Sequence, residues 1–338
     1  MIRLVTRCFH EAQYLDYFID HYLNLGVDEI YIINICNSEL NQFKKNSCVN
    51  IIDAISGNNG DQALQDFFER FLKKFNSDSD FILNIDCDEF LLLNKQYSSL
   101  KDFIDRNQAD VYFFNWINAH NISNYPDCLD VKLDLNSGLN FFRSNHIKTM
   151  IRRSICIRNL GSHFFYFKDS SSVWSNGIKY KNISLDEYNS VHFCNVPLTT
   201  PSYTESALLH LHCRSIENYL IKTFTTVFSD KKPNFTPNQI IENLKSDFDK
   251  VSDCCRFLKS NIGSSWQLLF THEASENFIN KSELIDLNFP INKSLFCDAK
   301  LNDEIICKIL NANKINLSIS EFRDICNKLS DLIRKFKS

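Results

Sequence analysis

Two hydrophobic periods alternate along the first 120 residues. Residues 2–9 form a short β-branched and apolar segment, and Leu15, Phe18, Ile19 and Tyr22 follow at helical spacing up to Gly26, where a helix would stop. EIYIINI at 29–35 reads as a second buried strand and 48–55 as a third, with polar loops on either side. Leu64, Phe67, Phe68, Phe71 and Phe75 mark one face of an amphipathic helix. DFILNIDCDEFLLL at 80–93 is a strand running into an acidic tip; a helix around 98–107 and a strand at 110–116 follow. Strands alternating with helices predict an α/β fold with a mainly parallel sheet and helices on both faces.

Residues 120–205 are irregular and rich in Asn, Ser and aromatics, a composition suited to the acceptor side of a site. From about 206 the pattern reads as helical, with Ile216, Tyr219, Leu220, Phe224 and Val227 on one face and another helix near 237–260. The last helix has the clearest stripe: Phe322, Ile325, Cys326, Leu329, Leu332, Ile333 and Phe336, with Ser318 and Glu321 placed for a capping box. The expected division is one region over 1–230, split near 120 into two halves, and a helical C-terminal region over 231–338.

Composition narrows the chemistry. The 338 residues carry 37 basic and 41 acidic side chains without a long block of either sign, so a nucleic-acid partner is not expected. Only seven glycines occur, and none makes a dinucleotide fingerprint, a phosphate loop or a hydrolase elbow. The thirteen cysteines are odd in number and lack C-x-x-C spacing, which speaks against a zinc ribbon, a redox motif or a disulfide framework. Arg7 and Glu11 interrupt any leader-like run and no stretch is long enough to span a bilayer, so a cytoplasmic protein without an integral membrane segment is expected.

Asp86-Cys87-Asp88-Glu89 is the strongest chemical signal. It follows the apolar strand Phe81–Ile85, and in parallel sheets ligands bind beyond the carboxyl ends of strands. In extended geometry Asp86 and Asp88 would project to one side and Cys87 to the other. Two hard oxygen ligands with room for water and phosphate suit Mn2+ or Mg2+ bridging a diphosphate. A bare D-x-D is usually a solvated turn, but apolar flanks bury this one, and burying its carboxylates without a cation is costly.

Over residues 3–93 the chain resembles GT-A glycosyltransferases of the family-two-like and family-ninety-two-like kind. The residues that carry the resemblance are Arg7-Cys8-Phe9-His10-Glu11, His21 and Gly26 within YLDYFIDHYLNLGVDEIYI, Asn37-Ser38, Gln62 at a helix start, and Asp86-Cys87-Asp88-Glu89-Phe90. It departs from the family at His10, where Asn is usual, and at Asn34, where an acid is common. Weaker similarity continues through IKTM at 147–150 and HLHCRSIENYLIK at 210–222, aligning His210, Arg214, Ser215, Tyr219 and Lys222.

The resemblance implies a GT-A, Rossmann-like fold and metal-dependent, inverting transfer of sugar from a UDP- or GDP-sugar to a glycan or other hydroxyl acceptor. It implies Asp88 and Asp86 as metal ligands, with His210 completing the shell and His212 as its rival; LLHLH at 208–212 alternates like a strand with both histidines on one face, so a buried structural histidine is the other reading of His210. Asp86 is also a candidate for the ribose, and Glu89 for orienting the tip. Arg7 and Glu11 would sit beside the nucleotide, or form a structural ion pair, and Lys148 would meet the diphosphate as a point charge. Trp116, near Asn115 and Asn118, is a candidate for stacking on a sugar ring or for core packing. His21 reads as a hydrogen-bonded core histidine, and Asn37, Ser38 and Gln62 as loop and cap residues. The catalytic base is open among Asp127, Asp169 and Glu205, and oligomerisation through the C-terminal helices is possible. The competing classes are a metal-dependent phosphodiesterase or nucleotidyltransferase, and a non-catalytic sugar-nucleotide binding module.

Overall fold

A computed structural model describes residues 1–8, 11–12, 15–35, 40–54, 60–72, 75, 77–120, 140–159, 163–168, 171–175, 177–183, 202–211, 217, 279–289, 303–312 and 315–337. The chain forms two compact units. The first comprises Met1–Ala119, Phe141–Leu211 and Ile279–Ile291, and the second His120–Asn140, His212–Phe278 and Asn292–Ser338.

The first unit is a mixed α/β structure of the Rossmann-like type. Its strands are β1 (Ile2–Cys8), β2 (Glu29–Asn34), β3 (Val49–Asp53), β4 (Phe81–Asn84), β5 (Glu89–Leu93), β6 (Val111–His120), β7 (Asn140–Arg152), β8 (Cys156–Asn159), β9 (Phe165–Phe167), β10 (Ser171–Ser175), β11 (Ile178–Ile183) and β12 (Ser206–His210). The large sheet has the order β11-β10-β6-β7-β4-β1-β2-β3, with β12 bridging β5 and β6, while β8 and β9 pair separately. β1, β2, β3 and β4 run parallel, as do β6, β10 and β12; β7 lies antiparallel to β4, and β5 antiparallel to β12.

Period-two alternation along the strands divides the core between the two faces of the sheet. Leu4, Ile30, Ile32 and Leu83 pack with Phe18 and Tyr22 of α1 (Leu15–Asn24) and Phe103 of α3 (Leu100–Asn107). Val5, Ile33 and Ile82 pack instead with Leu64, Phe67 and Phe68 of α2 (Gly60–Phe71). Helices thus cover both faces, as the alternating pattern predicts. α1 stops at Gly26, whose φ of +95° belongs to the left-handed region, and Val27 N–H closes the end by donating to Tyr22 O at 3.0 Å.

One expectation is overturned. Residues 206–210 form strand β12, in line with the strand-like alternation of LLHLH, rather than the start of a helix, and all five are buried. A strand buried on both faces reads as a short apolar run, which periodicity alone does not separate from a helix. Apart from residue 217, the helices expected from 216 to 260 lie outside the described residues.

In the second unit, α4 (Asp303–Ala312) precedes α5 (Ile319–Lys337). Phe322, Ile325 and Cys326 are buried along α5. Its capping box forms: Ser318 Oγ accepts from Glu321 N–H at 3.3 Å and Glu321 Oε2 accepts from Ser318 N–H at 2.9 Å. Among the described residues no helix is long and apolar enough to cross a membrane.

Candidate functional site

Strand register gathers the charged side chains. Val5 of β1 pairs with Asn84 of β4, so Arg7, two residues on, reaches the level of Asp86. β7 runs the other way with Met150 opposite Leu83, so Lys148 arrives at the same level from the opposite side. β12 sets His210 opposite both Glu89 of β5 and Asn118 of β6. The groups therefore meet at the carboxyl ends of β1, β4 and β6, where parallel sheets bind their ligands.

The acidic tip is a turn. Glu89 N–H donates to Asp86 O at 3.0 Å, and Asp86 N–H donates to Glu89 Oε2 at 2.9 Å. Extended geometry ends before the tip, so the expected alternation of Asp86, Cys87 and Asp88 does not apply. Cys87 turns inward: its Sγ donates to Arg7 O at 2.9 Å and lies 3.2 Å from Thr6 Oγ1. Burial, then Cys8 and Glu11, push the Cys87 thiol well above its usual range, so it stays a neutral packing group. Tyr22 of α1 braces β5 beyond the tip, donating to Glu89 O and accepting from Leu91 N–H, both at 3.0 Å.

Asp86 is held between two cations. Arg7 donates from Nη2 and Nε to Asp86 Oδ1 at 2.7 and 3.1 Å, and Lys148 Nζ donates to Oδ2 at 2.6 Å. Burial alone would raise the Asp86 carboxyl, but Arg7 and Lys148 outweigh it and hold it well below the usual range. Arg7 also donates from Nη1 to Asp61 Oδ1 at 2.8 Å, in the first turn of α2. A Cβ on Gly60 would lie 3.0 Å from that Nη1, so glycine lets the helix begin this close to the guanidinium.

Asp88, Glu89 and His210 form a second group, in which one ligand atom from each lies within 4.8 Å of the others. His210 Nε2 is 3.9 Å from Asp88 Oδ1, and its Nδ1 is 3.1 Å from Asn118 Oδ1. An amide oxygen only accepts, so this bond puts the ring proton on Nδ1, and Nε2 is the nitrogen that could meet a cation. Leu211 N–H donates to Asp88 O at 2.8 Å, tying the end of β12 to the tip. Glu89 is fully buried, and its Oε1 has no hydrogen-bond partner among the described residues. Burial, opposed by Lys148 and reinforced by Asp86 and Asp88, pushes its carboxyl well above the usual range. Two carboxylates and one imidazole suit Mn2+, and also Mg2+ if water completes the shell. A divalent cation would give Glu89 Oε1 the partner that no hydrogen bond among the described residues supplies.

A ring of aromatic and imidazole groups adjoins this cluster. Trp116 of β6 lies 4.1 Å from His210, 4.9 Å from His146 and 5.2 Å from His163, centroid to centroid, and Lys148 Nζ stands 5.9 Å from the indole. His146 is near-parallel to the indole, at 15°.

The structure thus brings Arg7, Asp86, Asp88, Glu89, Trp116, Lys148 and His210 to one place. Glu11 is buried near Cys87. Asp86 lies with Arg7 and Lys148, outside the group formed by Asp88, Glu89 and His210. Glu205 stands at the other end of β12 from His210 and accepts from Tyr97 and Gln96 at 2.6 and 2.9 Å. His21 forms a hydrogen bond to Leu91 O at 3.0 Å and packs edge-on against Tyr22 and Phe90. Gln62 donates to Asp66 on the exposed face of α2, and Asn34 donates to Asp53, at 2.9 and 3.0 Å. His10, Asn37, Ser38, Asp127, Asp169, His212, Arg214, Ser215, Tyr219 and Lys222 lie outside the described residues. Sequence reasoning missed Asp61, His146 and His163, single residues outside any motif.

No protein-family profile matches the chain, and no curated protein sequence matches it. Solved structures overlap part of it weakly. HddC from Yersinia pseudotuberculosis is 13% identical, with 56% of this chain and 97% of that one covered and a TM-score of 0.31. A 4-diphosphocytidyl-2C-methyl-D-erythritol synthase is 12% identical, covering 45% and 75%, with a TM-score of 0.24. A CMP:2-keto-3-deoxy-manno-octonic acid synthetase complexed with CTP is 11% identical, covering 45% and 74%, with a TM-score of 0.26. At this level the overlap defines no activity. The class defined by fold and site is an α/β protein with a buried Asp-Glu-His cluster at its strand ends.

Proposed function

We propose that the protein is a divalent-cation-dependent glycosyltransferase that takes sugar from a nucleoside diphosphate sugar and gives it to an acceptor hydroxyl. The reading is carried by the buried group of Asp88, Glu89 and His210 at the strand ends, beside Arg7 and Lys148. Arg7 is already paired with Asp61 and Asp86, and Lys148 with Asp86 and Glu89, so an entering diphosphate needs further positive charge. Mn2+ or Mg2+ held by Asp88, Glu89 and His210 would supply it and neutralise the departing diphosphate. Arg7 and Lys148 are placed to orient the phosphates by exchanging part of their contact with Asp86, and Asn118 fixes the His210 tautomer. The sequence resemblance to GT-A enzymes supports sugar as the transferred group.

Calorimetry with UDP and GDP, in Mn2+ and in excess chelator, tests this reading. Binding is expected in Mn2+ only, with nucleoside diphosphate released from a matching UDP- or GDP-sugar. Equal affinity in chelator overturns metal dependence. Pyrophosphate release from a nucleoside triphosphate and a sugar phosphate would instead assign nucleotidyl transfer.

A further inference from the structure

The imidazoles around Trp116 have no role in binding the cation or the diphosphate as assigned above, apart from His210. His163 Nδ1 lies 3.0 Å from Ile147 O. A carbonyl only accepts, so Nδ1 carries the ring proton and Nε2 presents a lone pair. His146 Nδ1 is bonded to Ser144 Oγ at 3.1 Å, and the two rings stand 5.9 Å apart. Burial and then Lys148 lower both imidazoles, His163 to about 3, so they are neutral at pH 7. Trp116 Nε1–H is buried with no acceptor among the described residues.

This wall is selective by charge type. Phosphate and carboxylate oxygens bring lone pairs, which the bare His163 nitrogen repels. A hydroxyl brings a proton, which that nitrogen accepts. Aromatic faces also pack on the C–H side of a pyranose ring. The wall touches the proposed cation group through the 4.1 Å contact of Trp116 with His210, so it is in reach of whatever extends beyond a bound diphosphate.

We propose that Trp116, His146 and His163 form the subsite for the uncharged, hydroxyl-rich ring of the donor, which selects a neutral hexosyl group over a second phosphate-bearing group. The inference rests on the nucleotide-sugar reading and deepens it.

The test is calorimetry in Mn2+ with UDP, UDP-glucose, UDP-N-acetylglucosamine, GDP and GDP-mannose. At least one sugar donor is expected to bind about ten-fold more tightly than its own bare diphosphate, the scale of one hydrogen bond gained. His163→Phe, which keeps a ring and removes the acceptor, should abolish that advantage while leaving diphosphate affinity within about three-fold, since the diphosphate does not reach the wall. His163→Asn serves as the second variant if the larger ring prevents folding, and retained diphosphate binding reports the fold in both. Parity between every donor and its diphosphate in the wild-type protein overturns the subsite, as does an unchanged advantage in both variants. Failure of UDP and GDP to bind at all overturns the nucleotide reading itself, a different outcome.

Discussion

Lys148 Nζ lies 2.6 Å from Asp86 Oδ2, which makes a fully buried ammonium from β7 a counter-charge of the acidic tip on β4. The same nitrogen stands 3.5 Å from Glu89 Oε2, so one cation serves two carboxylates of the site. Removing it leaves both short of positive charge. Lys148→Met should cost about 3–5 kcal/mol of stability, the scale for breaking a buried pair from one side. Adding Asp86→Asn should restore part of the loss. Urea unfolding of the single and double variants measures both effects, and equal stability of Lys148→Met and wild type would refute the pairing.

The cation group divides the tip acids. Asp88→Asn, Glu89→Gln and His210→Ala should each weaken Mn2+ binding at least ten-fold without nucleotide, whereas Asp86→Asn should leave it within a few-fold. Asn118→Ala removes the acceptor that holds His210 in its tautomer and should cost about ten-fold through orientation alone. Calorimetric titration with Mn2+ ranks the variants. A loss in Asp86→Asn as large as in Asp88→Asn would move the cation toward Arg7 and Lys148.

The apolar spacing of β1, α1, β2 and α2 was legible in the sequence because each element carries its period within a few residues. The acidic tip was legible for the same reason: Asp86 to Glu89 are contiguous and follow an apolar strand. Its local geometry was not, because the Glu89 N–H to Asp86 O turn replaces the alternation an extended tip would keep. His146 and His163 gave no signal either. Their shared partner Trp116 comes from another strand, and the contacts exist only once β6, β7 and the segment before β9 are folded together.

Arg7 works as a fork. It spans Asp86 and Asp61 through separate nitrogens, a geometry that the single ammonium of lysine does not reproduce. Arg7→Lys should therefore keep Mn2+ affinity and lower that for UDP or GDP in Mn2+ about ten-fold, the scale of a lost charge-assisted bond. Calorimetry in the order metal, then nucleotide, separates the two effects. Unchanged nucleotide affinity would leave Arg7 as a purely structural tie between β1, β4 and α2.

Acid should unfold the first unit through His21. Desolvation lowers this imidazole to about 4, only partly opposed by its bond to Leu91 O, while in the unfolded chain it titrates near 6.5. The unfolded state binds the proton more readily, so stability contributed by the neutral ring is present above about pH 6.5 and is lost as pH falls toward about 4. His163, lowered to about 3, continues the same trend further into acid. His21→Gln can still donate to Leu91 O but does not titrate, so its stability should fall less steeply than wild type between pH 6.5 and 4. Urea midpoints at half-unit pH steps measure the slope; identical slopes would place the acid sensitivity on other groups.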